Sequence, residues 1–262
     1  MNIHFTDKKL FDKLKKATIA KVIVGSHMYG TNNENSDIDY LYIYATSENE
    51  LMSFIQTNHQ LQYKEEGIDY NFVSLNSFLK NIFNGDSSIN FEVIQSDSLI
   101  GTDLEWLCSH KDTFITYNMI RSYLGLCRRD IKYYNKCDTD YDKVKKLRHI
   151  IRGYIYAKKM ISHNFNFKEC NDTLLNIKLD ISTNIQLREY EKKISDLRNE
   201  LTEKFNNKTL GYAQNINVEA GIKLNTNLCN FMKTNEFKVK QYILKDFDME
   251  MFINSYENWV NY

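Results

Sequence analysis

Two aspartates one residue apart, Asp37 and Asp39, open the apolar run YLYIYA and close a polar loop, GSHMYGTNNENS, that itself follows KVIV. In an extended strand residues i and i+2 project to the same side, so the two carboxylates should share one face, with Ile38 on the other. Two carboxylates side by side repel each other, and a cation or a proton must offset that repulsion. A divalent metal is the simplest candidate, because Mg²⁺ takes oxygen ligands, commonly one or two carboxylates plus phosphate oxygens. Asp69, near the start of IDYNFVSL, is a third candidate ligand if that run neighbours the first. Asn71 shares its face, and Glu92 is a weaker candidate. Ahead of the loop, Gly25-Ser26 offers backbone N–H groups and a hydroxyl to a phosphate, with no side chain at Gly25 in the way. The combined parts suit a metal-bound triphosphate.

Each part alone says little. An Asp-x-Asp pair usually decorates a solvated turn, and an Asp at a strand start can simply end one. The joint spacing, between two apolar runs, carries the reading. In the loop, Tyr29 could stack on a base or pack the loop, and His27 could meet a phosphate. Further along, Lys145, Arg148, His149 and Arg152 recur at spacings of three and four and so share a broad helix face. That face is either a solvated basic surface or a clamp for phosphate or acceptor opposite the carboxylates. Arg128, Arg129 and Lys132 form a similar cluster. Tyr123, Tyr133, Tyr134, Tyr154 and Tyr156 are expected in a helical core.

The elements that must position these groups follow from periodicity. Residues 6–18 read as a helix with Thr6 or Asp7 as N-cap, and KVIVGS as a buried strand. IDYLYIYA (38–45) is a second strand, and QLQYKEEG and IDYNFVSL two more, joined near Gly67. Ser47 to Glu50 has the capping-box pattern and should start a helix through LMSFIQ. Residues 76–83 form a helix stopped by Asn84-Gly85. SINFEVIQ (88–95) fits helix or strand equally. From about residue 113 the period is 3.6 through three long segments, 114–135, 141–161 and 184–205, and DMEMFINSYENWV reads as a short amphipathic helix. The expected fold is therefore α+β: a small mixed β-sheet flanked by helices, residues 1–110, then a helical domain, residues 111–262.

Composition narrows the class. The 262 residues carry 34 basic and 34 acidic side chains, which gives no support to a strongly basic nucleic-acid binder, and 42% hydrophobic residues supply a core without staples. Five scattered cysteines without a CxxC pair read as free thiols in a reducing compartment. The charged opening MNIHFTDKKLFDKLKK is no signal peptide, and no apolar run reaches membrane-spanning length, so a cytoplasmic protein without membrane contact is expected. The absence of proline fits an AT-rich bacterial or phage genome. Zinc spacing, a P-loop and GxGxxG are all missing, which argues against zinc-hydrolase, kinase and dehydrogenase readings.

The string GSHMYGTNNENSDIDY resembles the signature of the polymerase-beta nucleotidyltransferase superfamily. It is most similar to a branch of uncharacterised bacterial and phage predicted nucleotidyltransferases with a GS-x-x-YGT-x-x-x-x-SDxD core. KVKKLRHIIRGYIYAKKMI (143–161) is similar to that branch's second motif. The resemblance covers residues 20–45, 66–95 and 113–161 and ends by 165. It implies a palm-like sheet and transfer of an NMP from an NTP, ATP included, to an acceptor hydroxyl with release of pyrophosphate. Gly25 and Ser26, with Tyr29, Ser36, Lys145, His149 and Arg152, would bind the nucleotide. Asp37 and Asp39 would bind two Mg²⁺ ions, and Asp69 would bind one of them and help deprotonate the acceptor. The branch's proline before the glutamate is missing here, while Glu92 is kept. RNA or a tRNA 3′ end stands among the acceptors left open, and the oligomeric state is open too. A second reading, from another class, is a protein that holds nucleotide or RNA on the same fold without turnover.

Overall fold

The computed structural model describes residues 2–34, 36–45, 60–85 and 88–214, with the backbone alone at 2, 3 and 88. The expected helix from Ser47 and the one at 248–260 lie outside the described residues. Five strands form one mixed sheet: β1 (Asn2–His4), β2 (Thr18–Val24), β3 (Ile38–Tyr44), β4 (Gln60–Glu65) and β5 (Ile68–Ser74), in the order β1-β4-β5-β3-β2. β3 runs parallel to β5, while β2–β3 and β4–β5 are antiparallel. The β4–β5 turn is a two-residue loop, Glu66 and Gly67, both at positive φ (44° and 76°). A turn of that kind matches the strand twist and fixes the register of everything after it.

The alternation of side chains divides the sheet into two faces. Tyr42, Tyr44, Leu61 and Phe72 pack with Phe11 and Leu14 of α1 (Lys8–Lys16), whose Asp7 side chain caps the amides of Lys9 and Leu10. On the other face Ala20, Val22, Val24, Leu41, Ile43 and Val73 meet the helices. These are α2 (Leu75–Asn84), α3 (Ser88–Gln95), a 3₁₀ segment (Glu105–Phe114), α4 (Tyr117–Tyr134), α5 (Asp140–Ile161), α6 (Phe167–Leu175) and α7 (Ile185–Asn206). Gly85 ends α2 in the left-handed conformation, as the Asn-Gly signal implies. Thr116, Thr139 and Asn166 cap α4, α5 and α6 through their side chains.

The apolar core is continuous from Val22 and Leu41 in the sheet to Leu201 in α7, so the sheet and the later helices share it. α4 and α5 approach closely at Gly153, where a Cβ would stand 2.5 Å from Cys127 Sγ. SINFEVIQ is a helix; every residue from Asn90 to Gln95 is buried, which is why its pattern carries no period. Of the tyrosines expected in the helical core, Tyr123, Tyr134 and Tyr156 are buried and Tyr154 half-buried, but Tyr133 is 50% exposed, on the solvent side of α4. α6 and the 3₁₀ segment are additions to the sequence reading; both are too short for a clear period. No described helix is long and apolar enough to cross a membrane.

Candidate active site

The parallel pairing of β3 and β5 sets Asp39 directly opposite Asp69, with Leu41 opposite Asn71 two residues on. Both carboxylates therefore lie on the face that carries Leu41, Ile43 and Val73, the helical side of the sheet, at the end where the apolar packing gives way. Asp37 precedes β3. The Ile38 amide donates to the Gly67 carbonyl at 3.1 Å, and a Cβ on Gly67 would stand 3.8 Å from Asp37 Oδ1, so Asp37 is exposed beside the β4–β5 turn. Asp69 is held on its second carboxylate oxygen by Lys64 Nζ (2.7 Å) and Gln62 Nε2 (3.1 Å) from β4.

Gly25 follows β2 with φ +68°, and a Cβ there would overlap Asp39 Oδ2 and stand 3.0 Å from its Cγ. The position thus requires glycine twice over, for backbone conformation and for the space beside the carboxylate. The loop folds back at once: the Thr31 amide donates to the Ser26 carbonyl at 2.9 Å, and Gly30 donates to His27 at 3.3 Å. Ser36 closes the far end, its hydroxyl accepting from the Asn33 amide at 2.9 Å.

Electrostatically, Asp39 is the strained member. Burial raises its carboxyl pKa, the neighbouring Asp69 and Asp37 raise it further, and Lys145 and Lys64 work against them. Lys145 of α5 is thus near enough for its charge to bear on Asp39. Two other members of its stripe, His149 and Arg152, have partners elsewhere. His149 Nδ1 lies 3.7 Å from Asp130 Oδ2, an acid buried among Arg129, Lys146 and His149. Burial, Arg152 and Lys146 hold the His149 pKa below its ordinary value, with Asp130 opposing them. Arg152 sits with its Cζ 3.6 Å from the Tyr29 ring centroid. Tyr29 is buried and donates its hydroxyl to Glu92, so it packs the loop instead of offering a free ring. Glu92 is itself 2% exposed, and each of its carboxylate oxygens accepts a tyrosine hydroxyl, from Tyr29 and from Tyr123.

Among the described residues no group of three or more aspartate, glutamate, histidine or cysteine side chains is placed so that it could hold a metal ion. The chemistry of the donors suits a hard dication as a pair: carboxylate oxygens on adjacent strands, with mutual repulsion that a cation relieves, beside a glycine corner packed against Asp39 Oδ2. The expected neighbourhood of Asp39 and Asp69 agrees with the β3–β5 register, while Asp37 lies before β3 and is exposed. Sequence reasoning missed Lys64 and Gln62 on Asp69, which only the antiparallel β4–β5 register places there; Lys64 is the cross-strand partner of Asp69. It also missed Asp130, since no local pattern points from α4 to His149.

A mixed sheet with in-register acids beside a Gly-Ser loop, backed by helices, defines a polymerase-beta-like protein. The chain belongs to the RNA repair pathway DNA polymerase beta family, whose profile matches residues 8–215. That span runs 50 residues past the 165 at which the motif resemblance ends, through α6 and α7. An uncharacterised 38.9 kDa protein from the nrdC-mobD intergenic region of Enterobacteria phage T4 is 26% identical over 130 residues, 45% of this chain and 38% of the relative. The chain thus matches well under half the length of that relative. No solved structure matches.

Proposed function

We propose that the chain is a divalent-metal-dependent nucleotidyltransferase that moves an NMP from an NTP to an acceptor hydroxyl and releases pyrophosphate. The observation that carries this is the in-register Asp39–Asp69 pair beside the Gly25-Ser26 corner on the helical face of the sheet. Asp37, Asp39 and Asp69 would hold Mg²⁺. When bound, the ions lower the pKa of the attacking hydroxyl and neutralise charge on the leaving group. Gly25 and Ser26 present backbone N–H groups and a hydroxyl to the triphosphate, and Lys145 adds positive charge on the opposite wall. Asp69 orients the acceptor hydroxyl for in-line attack at the α-phosphorus and takes up its proton, while pyrophosphate departs from the other side. On this reading the transfer chemistry belongs to the catalytic domain expected at residues 1–110, and Lys145 comes from the helical domain expected at 111–262.

An RNA acceptor, such as a 3′ end, is favoured by the RNA-repair association of the family, and a bacterial or phage-infected cytoplasm goes with it. Incubation with α-labelled NTPs, Mg²⁺ and RNA oligonucleotides tests the reading: label should enter the RNA with the parent chain and not with Asp39→Ala. The Lys64–Asp69 ion pair supports a second reading, in which the site supplies its own cation and binds nucleotide without turnover. That reading gains if the parent transfers nothing and nucleotide binding survives Asp39→Ala.

A further inference from the structure

Glu92 is a buried acid that the transfer chemistry leaves unused. It sits on α3, and its two carboxylate oxygens each accept a tyrosine hydroxyl, Oε2 from Tyr29 and Oε1 from Tyr123 at 2.9 Å. Arg152 of α5 lies over the Tyr29 ring. Burial works against the Arg152 charge, but Tyr29 and Glu92 more than restore it and its pKa ends above the ordinary value. Four elements therefore meet around one carboxylate: the 25–31 loop, α3, α4 and α5.

The loop is seated by Met28, which packs against the core, and by Tyr29, whose ring meets Phe167. Gly25 and Gly30, both at positive φ, bracket it and bring no side chains. Tyr29, 7% exposed, is the buried aromatic between them. The Thr31 and Gly30 amides donate to carbonyls of the same loop and fix its shape, and the Tyr29 hydroxyl on Glu92 is the loop's polar tie to the helices. A hydrogen bond to a buried charged carboxylate is of the strong kind, and a tyrosine bears it with few rotamers to lose.

Building on the nucleotidyltransferase reading, we propose that Glu92 is a positioning residue for the nucleotide. Through Tyr29 it pins the Gly25-Ser26 corner against Asp39, and the same ring seats the Arg152 guanidinium beside the loop. The charge of Asp39 also bears on Tyr29, so anchor and carboxylate are neighbours in space. Glu92 thus acts on the triphosphate only through other residues.

The test compares three variants of the full chain. Tyr29→Phe keeps the ring under Arg152 and removes the hydroxyl; Glu92→Gln removes the charge. Ile194→Val removes one methyl group from the buried face of α7, where Ile194 is 1% exposed, and calibrates a purely structural loss. Two readouts apply: hydrogen exchange at the amides of residues 25–31, and the Kd for each of MgATP, MgGTP, MgCTP and MgUTP. Tyr29→Phe and Glu92→Gln should speed loop exchange and weaken binding of the preferred nucleotide about tenfold each, the scale of one charge-assisted hydrogen bond. Amides of β2 and β3 should be unchanged, and Ile194→Val should move neither readout. Unchanged loop exchange in Tyr29→Phe, or an equal response in Ile194→Val, overturns the proposal. Faster loop exchange in Tyr29→Phe and Glu92→Gln, with a parent chain that binds none of the four nucleotides, upholds the anchor and overturns the nucleotide reading instead.

Discussion

Glu92 and Asp39 are both acids set among other titratable groups, and the molecule treats them oppositely. Glu92, 2% exposed, has a tyrosine hydroxyl on each oxygen, and its charge supports that of Arg152 nearby. Asp39, half-buried, faces Asp69 and Asp37, and the lysines Lys145 and Lys64 only partly offset them, so its carboxyl pKa is raised. A compensated buried charge holds structure, whereas a clustered, under-compensated one at the edge of a cleft marks a place where something cationic is to be received. Asp130, with Arg129, Lys146 and His149 around it, falls on the Glu92 side of the contrast; burial opposes its charge, and those partners bring its pKa below the ordinary value.

Substitutions that exchange these behaviours sharpen the comparison. Asp39→Ala should lower transfer on the order of a thousandfold, as losing a charge-bearing catalytic group does. Because it relieves repulsion, it should leave the melting temperature equal or higher. A matching loss of stability would show that Asp39 is structural after all. Glu92→Ala should do the reverse, costing about 3 kcal/mol by leaving Arg152 uncompensated and two hydroxyls without an acceptor, as read by denaturant unfolding. Gly25→Ala combines the two: a left-handed φ costs about 1–2 kcal/mol. The new methyl also displaces Asp39, so transfer should fall further than the stability loss accounts for. The smallest effect concerns pH. The folded His149 pKa lies below 6.5, so on acidification the unfolded chain takes up a proton before the folded one does. Stability is fully present above that value and declines as pH falls through it, and His149→Gln should flatten this limb of the pH–stability curve.

The strand–loop–strand unit was legible because alternation, apolar flanks and a Gly-Ser corner all point one way. Asp69 was legible for a related reason: the Glu66-Gly67 turn is a short-range signal that fixes which residues of β5 share a face. Tyr29 could be read as stacking or packing, because the choice depends on Glu92, 63 residues away. Glu92 gave no signal of its burial, since its helix is buried on all sides and shows no amphipathic period. The basic stripe of α5 was visible as a stripe, but its division, Lys145 toward Asp39, His149 toward Asp130 and Arg152 over Tyr29, is set by helix packing at Gly153 and by contacts from three other elements.

The central claim, that the carboxylates on the helical face receive a dication, is tested most directly by Mn²⁺ titration followed by electron paramagnetic resonance, with a non-hydrolysable ATP analogue present. The account predicts saturable Mn²⁺ binding by the parent chain and by Glu92→Gln, weaker in the latter, and its loss in Asp39→Asn and Asp69→Asn. Equal Mn²⁺ affinity in the parent and both aspartate variants would contradict it.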